Sequence, residues 1–250
     1  MWDILTTTRV KTGLILMGLF LTVGFIDSFF LTWIFFGIFM LIALNEAMNL
    51  FKINDDSIYV YAVIVWVIAY FTPKPEDLVF VIAIVFASIL AYTKEFNKDL
   101  FLPLLYPIAS FLFLLSLYAS HGIASLLWLV FVVAGTDVGA YYVGKSIGAT
   151  KFCETSPNKT LEGVLGGIVT AAILGVTFSI ESIGFWSALF ISILVSIASI
   201  FGDLFESYLK READVKDSGD ILPGHGGILD RSDGYLFGGI IMLILLRFFV

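Results

Sequence analysis

The sequence predicts an all-α protein: a polytopic bundle of about nine transmembrane helices with its N-terminus in the cytoplasm. Three observations predict it. Of the 250 residues 59% are hydrophobic and only 14% charged, at a mean hydropathy of +0.99, whereas soluble domains carry about a quarter charged residues. The apolar residues come in runs near the ~20 residues that cross a bilayer, separated by short polar turns. The cations also divide unequally between the two sides that nine spans define, and cytoplasmic loops are the ones enriched in Lys and Arg.

Arg9 and Lys11 precede the first run, which opens at Gly13. No small-residue cleavage site follows, so an uncleaved first span over 13–26 is expected. The others are expected near 29–50, 57–72, 78–92, 100–119, 123–143, 162–180, 183–206 and 234–250. Asp27, Asn54–Asp56, Pro73–Asp77, Lys94–Asp99 and His121-Gly122 mark the successive turns. Polar stretches at Gly144–Thr160, Glu181-Ser182 and 207–233 complete the set. The third and fourth spans are short enough to form one re-entrant pair. Pro103 and Pro107 kink or start the fifth.

With this count, Arg9, Lys11, Lys52, Lys94, Lys98, Lys145, Lys151, Lys159, Lys210, Arg211, Lys216 and Arg231 share one side. Only Lys74 and Arg247 lie on the other. The two long polar loops therefore face the cytoplasm, the compartment that holds nucleotides. We expect one integral membrane domain over 1–250, with N-terminal helices to 120 and site-bearing helices and loops over 123–250. The net charge of −7 carries little information, because the charges are so unevenly distributed. A single cysteine, Cys153, excludes an internal disulfide and a thiolate metal cluster. No nucleic-acid partner is expected.

The charged residues that remain are concentrated. If Ala198–Arg211 is helical, Asp203, Glu206 and Lys210 share one face, with Ser207 beside them. Asp230 and Asp233 are three apart and would point the same way from a helix opening near them. Convergent aspartates without thiolates suit a hard divalent cation such as Mg²⁺. Lys210, Arg211, Lys216 and Arg231 place positive charge next to them, as a metal–phosphate site requires. Pro223-Gly224-His225-Gly226-Gly227 lets the backbone approach a ligand closely.

A second constellation starts at Asp137, an acid inside an apolar run and hence a functional candidate. Asp137, Tyr141 and Lys145 fall on one helix stripe, and the glycines around them permit close helix packing. Ser156-Pro157-Asn158-Lys159-Thr160-Leu161-Glu162-Gly163 follows. Lys159 and Thr160 can donate to phosphate, and the next helix begins there with its backbone N–H groups. Glu46, near the cytoplasmic end of the second span, either lines a lipid-phosphate entrance or is an interfacial acid.

Ser207-x-Leu209-Lys210-Arg211, Lys216-Asp217 and His225-Gly226-Gly227-Ile228-x-Asp230-Arg231-x-Asp233 resemble the signature of the phosphatidate cytidylyltransferases. The Ser156–Gly163 block after a membrane aspartate is similar to the same family. Ser232 stands where a more apolar residue is usual, and Asn158 where a second lysine is common. The resemblance implies transfer of CMP from CTP to phosphatidic acid, giving CDP-diacylglycerol and pyrophosphate, at the cytoplasmic face of the cell membrane. On that reading Asp203, Asp230 and Asp233 bind Mg²⁺, and Asp137 serves a second cation or a bound water. Lys145, Lys159, Lys210, Arg211 and Arg231 neutralise the triphosphate or the lipid phosphate, with Thr160 and Asp217 beside the substrate. His225, Gly226 and Gly227 shape the nucleotide pocket. Asp203, Asp230, Lys210 and Arg231 form the expected catalytic set, and a homodimer is a compatible assembly. Two other readings are a CTP-dependent lipid-alcohol kinase and a cation-coupled transporter with Asp137 and Asp203 as ion ligands.

Overall fold

The computed structural model describes residues 2–94 and 97–249, with side chains from Thr8 onward. Helices dominate: α1 (Trp2–Ile26), α2 (Phe29–Leu50), α3 (Ser57–Phe71), α4 (Leu78–Thr93), α5 (Phe101–Pro103), α6 (Ser110–Ile147), α7 (Leu161–Thr177), α8 (Phe185–Glu212) and α9 (Leu229–Phe249). Among the described residues there is no strand, only isolated bridges at Lys151–Thr160 and Leu222–Gly226. Lipid offers backbone groups no hydrogen bonds, so a spanning chain this apolar must satisfy them within helices.

Six of the described helical stretches are long and apolar enough to cross a membrane: Thr8–Ile26, Phe29–Leu50, Pro75–Thr93, Lys98–Ile147, Phe185–Ala213 and Leu229–Phe249. Ser57–Phe71 and Leu161–Thr177 are apolar but shorter. The fifth and sixth expected spans fall in one stretch of 50 residues. Its continuity is interrupted at Gly122, whose φ of 69° is open to glycine at no steric cost. Nearer its start, Tyr106 leaves helical geometry (φ −139°, ψ 110°), as a residue preceding proline tends to do. The turn expected at Lys94–Asp99 falls partly on residues 95 and 96, and the ninth span ends on residue 250, all outside the described residues. Helix α1 starts well before Gly13, because Arg9 and Lys11 are good helix formers that a search for apolar runs passes over.

The chain divides into two compact units, residues 1–119 with 212–231, and residues 120–211 with 232–250. The polar segment 212–231 therefore belongs with the N-terminal helices. In the first unit α2 and α3 pack through Gly37, whose missing Cβ makes room for the indole of Trp66. The Trp33 indole N–H donates to the Trp66 carbonyl (2.8 Å), and the Trp66 indole N–H donates to the Trp33 carbonyl (3.1 Å). Met40, Leu44, Ile58, Ile108, Leu112 and Leu115 are among the fully buried side chains of this unit. Asp27, in the turn after α1, accepts from the Tyr118 hydroxyl (2.8 Å).

In the second unit α6 and α7 approach through facing small residues, the packing expected where lipid supplies no hydrophobic drive. A Cβ on Gly139 would stand 2.8 Å from the Gly166 carbonyl oxygen, and one on Gly167 2.7 Å from that of Thr136. The Thr136 hydroxyl bonds the Ser196 hydroxyl (2.8 Å), tying α6 to α8. Gly202 lets α8 lie against the Asp233 carbonyl of α9. These close approaches put the polar stripes of α6, α8 and α9 in reach of one another.

Candidate active site

Within the second unit, the acids and bases singled out in the sequence form pairs. Asp203 Oδ2 lies 2.5 Å from Lys159 Nζ, with side chains 36% and 26% exposed. Asp203 Oδ1 accepts from the Ser207 hydroxyl one turn later (3.3 Å). Lys210 Nζ donates to Glu206 Oε2 (2.7 Å), and the Glu206 side chain is only 1% exposed. Asp233 is half-buried on α9; its carboxyl is repelled by Asp203 and Asp137 and attracted by Lys210. The Gly234 N–H donates to Asp233 Oδ1 (2.7 Å). Asp203, Asp233, Asp137 and Lys210 thus share one electrostatic neighbourhood. Lys145 lies over the Tyr141 ring at 5.5 Å from its centroid, on the stripe expected for Asp137, Tyr141 and Lys145. Arg211 is exposed in the last turn of α8.

The loop before α7 is held from within. Glu162 accepts from Ala149 N–H (3.1 Å), from Thr150 N–H (3.2 Å) and from the Thr150 hydroxyl (2.8 Å). Thr160, expected to donate to phosphate, is the N-cap of α7; its Oγ1 accepts from Gly163 N–H (3.1 Å). Lys159, the residue beside it, is thereby aimed at Asp203.

The donor set around Asp203 is all oxygen, which suits Mg²⁺ and excludes a soft-metal site. Among the described residues no group of three or more His, Cys, Asp or Glu converges closely enough to hold a metal alone. The Lys159 ammonium occupies one Asp203 oxygen, so this carboxylate already faces positive charge.

In the first unit, residues 216–231 fold around two carboxylates. Glu46 of α2 is 3% exposed. Its Oε1 accepts from Ile228 N–H (2.9 Å), and its Oε2 from Leu229 N–H (2.8 Å) and the Ser218 hydroxyl (3.0 Å). Asp230 Oδ2 takes Ser218 N–H (2.8 Å), the Ser218 hydroxyl (2.9 Å) and Gly227 N–H (2.8 Å). One hydroxyl thus sits between both acids. The missing Cβ atoms of Gly226 and Gly227, expected to admit a ligand, give room to these carboxylates. A Cβ on Gly226 would lie 2.6 Å from Asp230 Oδ2, and one on Gly227 would strike Ser218 Oγ and Glu46 Oε2. Asp230, expected as a metal ligand, thus has a loop-holding role at Oδ2. Leu222–His225 makes a turn closed by His225 N–H donating to the Leu222 carbonyl (2.8 Å), with Gly224 at φ 76°. Pro at the second position and Gly at the third are what a type II turn demands.

Arg231 donates through Nε (2.9 Å) and Nη2 (2.7 Å) to the His225 carbonyl. A cavity of about 490 Å³ opens beside it, lined by Arg9, Lys216, Asp217, His225, Gly226 and Arg231 among others. Burial, then the fields of Arg231 and Arg9, hold the His225 pKa below the ordinary histidine value, although the Pro223 carbonyl pulls the other way.

Sequence reasoning named Asp137, Lys145, Lys159, Asp203, Lys210 and Asp233, which the second unit carries, and Asp217, His225, Asp230 and Arg231, which the first carries. It left Glu46 between two roles, and the structure gives it a third. It passed over Ser218 and the placement of Arg9. An acid near the end of an apolar run was the signal for Glu46; nothing local marks its partners, which lie more than 170 residues away.

The Cytidylyltransferase family matches residues 7–249. Proteins named phosphatidate cytidylyltransferase from two strains of Helicobacter pylori are 42% identical over 244 residues, 96% of this chain and 92% of theirs. A Bacillus subtilis protein of the same name is 47% identical over 133 residues, 52% of this chain and 49% of its own.

Proposed function

Since the chain belongs to the cytidylyltransferase family, we propose that it is a phosphatidate cytidylyltransferase, forming CDP-diacylglycerol and pyrophosphate from CTP and phosphatidic acid. The observation that carries the reading is the 42% identity over 96% of the chain with proteins of that name. The clustered carboxylates and cations of the second unit support it. An ionised phosphate oxygen of the lipid attacks the α-phosphorus of CTP. The bond from that phosphorus to the bridging oxygen breaks, and pyrophosphate leaves with the electron pair. The nucleophile is already an anion, so no protein nucleophile or strong base is required, and catalysis rests on positioning and charge neutralisation.

Asp203 and Asp233 would hold Mg²⁺, with Asp137 toward a second cation. Bound there, the metal would neutralise the phosphate charge that develops on the leaving group. Lys159, Lys145 and Arg211 would take phosphate oxygens. Lys210 keeps a fixed positive field beside Asp233 through its bond to Glu206. The further topology we propose is nine spans, with the N-terminus and both polar loops on the cytoplasmic side of the cell membrane. The support is the distribution of Lys and Arg, twelve residues on one side and Lys74 and Arg247 on the other.

The test is purified protein with α-labelled CTP and phosphatidic acid, with and without Mg²⁺. Label should enter the lipid phase as pyrophosphate is released, only with the metal. Release of CDP in place of pyrophosphate would replace this reading with a CTP-dependent lipid kinase, and no turnover would end it.

A further inference from the structure

Among the described residues, the first helix meets residues 222–225 through Arg9, Thr12 and Gly13. Thr12 Oγ1 lies 3.0 Å from the Pro223 carbonyl oxygen and 3.1 Å from that of Thr8, positioned to donate to either. Gly13 faces the His225 imidazole, where a Cβ would stand 3.7 Å from Nε2. The Arg9 side chain passes across Gly224, whose own Cβ would be 2.8 Å from Arg9 Cγ. Arg9, Thr12 and Gly13 are spaced i, i+3 and i+4 and so share one face. Elsewhere α1 presents Val10, Leu14, Ile15 and Met17 outward, more than half exposed. Arg9 stands at the start of the apolar stretch Thr8–Ile26, the level at which a helix leaves water for lipid.

The cavity beside this contact collects Arg9, Lys216 and Arg231 against Asp217 and Asp220. Among the described residues none of the three cations has a carboxylate within 4.0 Å. The Arg231 guanidinium is oriented by its two bonds to the His225 carbonyl. One net positive charge, two planar guanidinium groups and a volume within the usual range for small ligands describe a receptor for a phosphate group. A phosphate monoester on a lipid reaches the membrane boundary without leaving it, and Arg9 is at that boundary.

We propose that Arg9 is a substrate-binding residue: with Lys216 and Arg231 it forms the subsite for the phosphate of the lipid substrate, so that the first membrane helix supplies part of the binding site. The proposal rests on the reading of the reaction above. A nucleotide phosphate has the same chemistry, and the two sources are separated by experiment.

Arg9→Gln and Arg9→Lys are compared with the wild type in detergent, measuring KM for phosphatidic acid and for CTP separately. Binding of a water-soluble short-chain phosphatidic acid is titrated calorimetrically without CTP. Loss of a charge-assisted hydrogen bond to phosphate should raise the lipid KM and the calorimetric Kd of Arg9→Gln about 10- to 100-fold. Arg9→Lys should recover part of the loss, and KM for CTP should not change. A rise in the CTP constant with the lipid constant unchanged would move the subsite to the nucleotide and overturn the assignment. Unchanged constants for both would overturn the subsite, as would a fall in kcat alone. If Arg9→Gln does not fold, Arg9→Lys decides, since it keeps the charge but loses the planar fork and should still weaken lipid binding. Wild-type protein that turns over neither substrate would defeat the reading of the reaction, and the titration would still decide the role of Arg9.

Discussion

Replacing Glu46 tests the way the polar loop is held. Its two oxygens receive three donors, the N–H groups of Ile228 and Leu229 and the Ser218 hydroxyl, at 2.8 to 3.0 Å. All four residues are buried, so no water stands ready to replace the acid. Glu46→Ala strands two backbone donors, each costing about 1–3 kcal/mol unsatisfied, and removes the helix N-terminus's anionic partner. The sum is about 3–5 kcal/mol, within the range for breaking one side of a buried charged contact. Glu46→Gln keeps one accepting oxygen but turns an NH2 toward a donor, and should cost about 1–3 kcal/mol. Hydrogen exchange read by mass spectrometry reports the loss locally. At 1.4 kcal/mol per decade, amide protection of Ile228 and Leu229 should fall by about two to three and a half orders of magnitude in Glu46→Ala and less in Glu46→Gln. Exchange in α7 should stay as it was. Turnover should fall with the loop's order. Unchanged protection at Ile228 and Leu229 in folded Glu46→Ala would refute the reasoning and return Glu46 to the role of an interfacial acid.

Other outcomes follow from the second unit and from the charge distribution. Asp203→Asn and Asp233→Asn should each cut turnover by about a hundredfold or more and should move the Mg²⁺ concentration for half-maximal rate upward; a normal metal dependence would take them out of the metal site. Lys159→Ala removes a half-exposed ion pair, so it should cost under about 1 kcal/mol of stability while raising KM for CTP; an unchanged KM would leave Lys159 as loop solvation. In a Cys153→Ser background, an impermeant thiol reagent added to intact cells should label Ser182→Cys and spare Asn158→Cys and Val215→Cys; labelling at position 158 would break the nine-span topology.

The helices were legible because their signal is local: a run of apolar residues must be helical in lipid wherever its partners lie. The turn marked by Asp27 was legible from its place between two such runs. The joins were not. Whether residues 98–147 form one helix or two depends on Gly122 adopting φ 69° within a helical stretch, which residue type permits but does not dictate. The charged residues of the candidate site were legible by type and spacing, since acids and bases are expensive near lipid and are seldom placed there without use. Their partners were not legible. The spacing of Gly226 and Gly227 announced a close backbone approach, and the approach exists, but it is to Glu46 and Asp230. A glycine reports that something comes near and says nothing about what.

The two lysines of the second unit show why type alone could not assign roles. Lys159 and Lys210 each face a carboxylate, at 2.5 and 2.7 Å. The Lys159–Asp203 pair is half-exposed, and water competes for both ends, so exchanging either partner for a phosphate or a metal costs little. Glu206 is enclosed, and taking the Lys210 ammonium from it would leave a buried carboxylate facing less positive charge, a change worth about 3–5 kcal/mol where such contacts are broken. Lys159 can therefore exchange Asp203 for another anion at little cost, whereas Lys210 is held beside Asp233. Two cations of the same sort thus divide between a movable contact and a fixed one, and the burial of the opposing acid decides which is which.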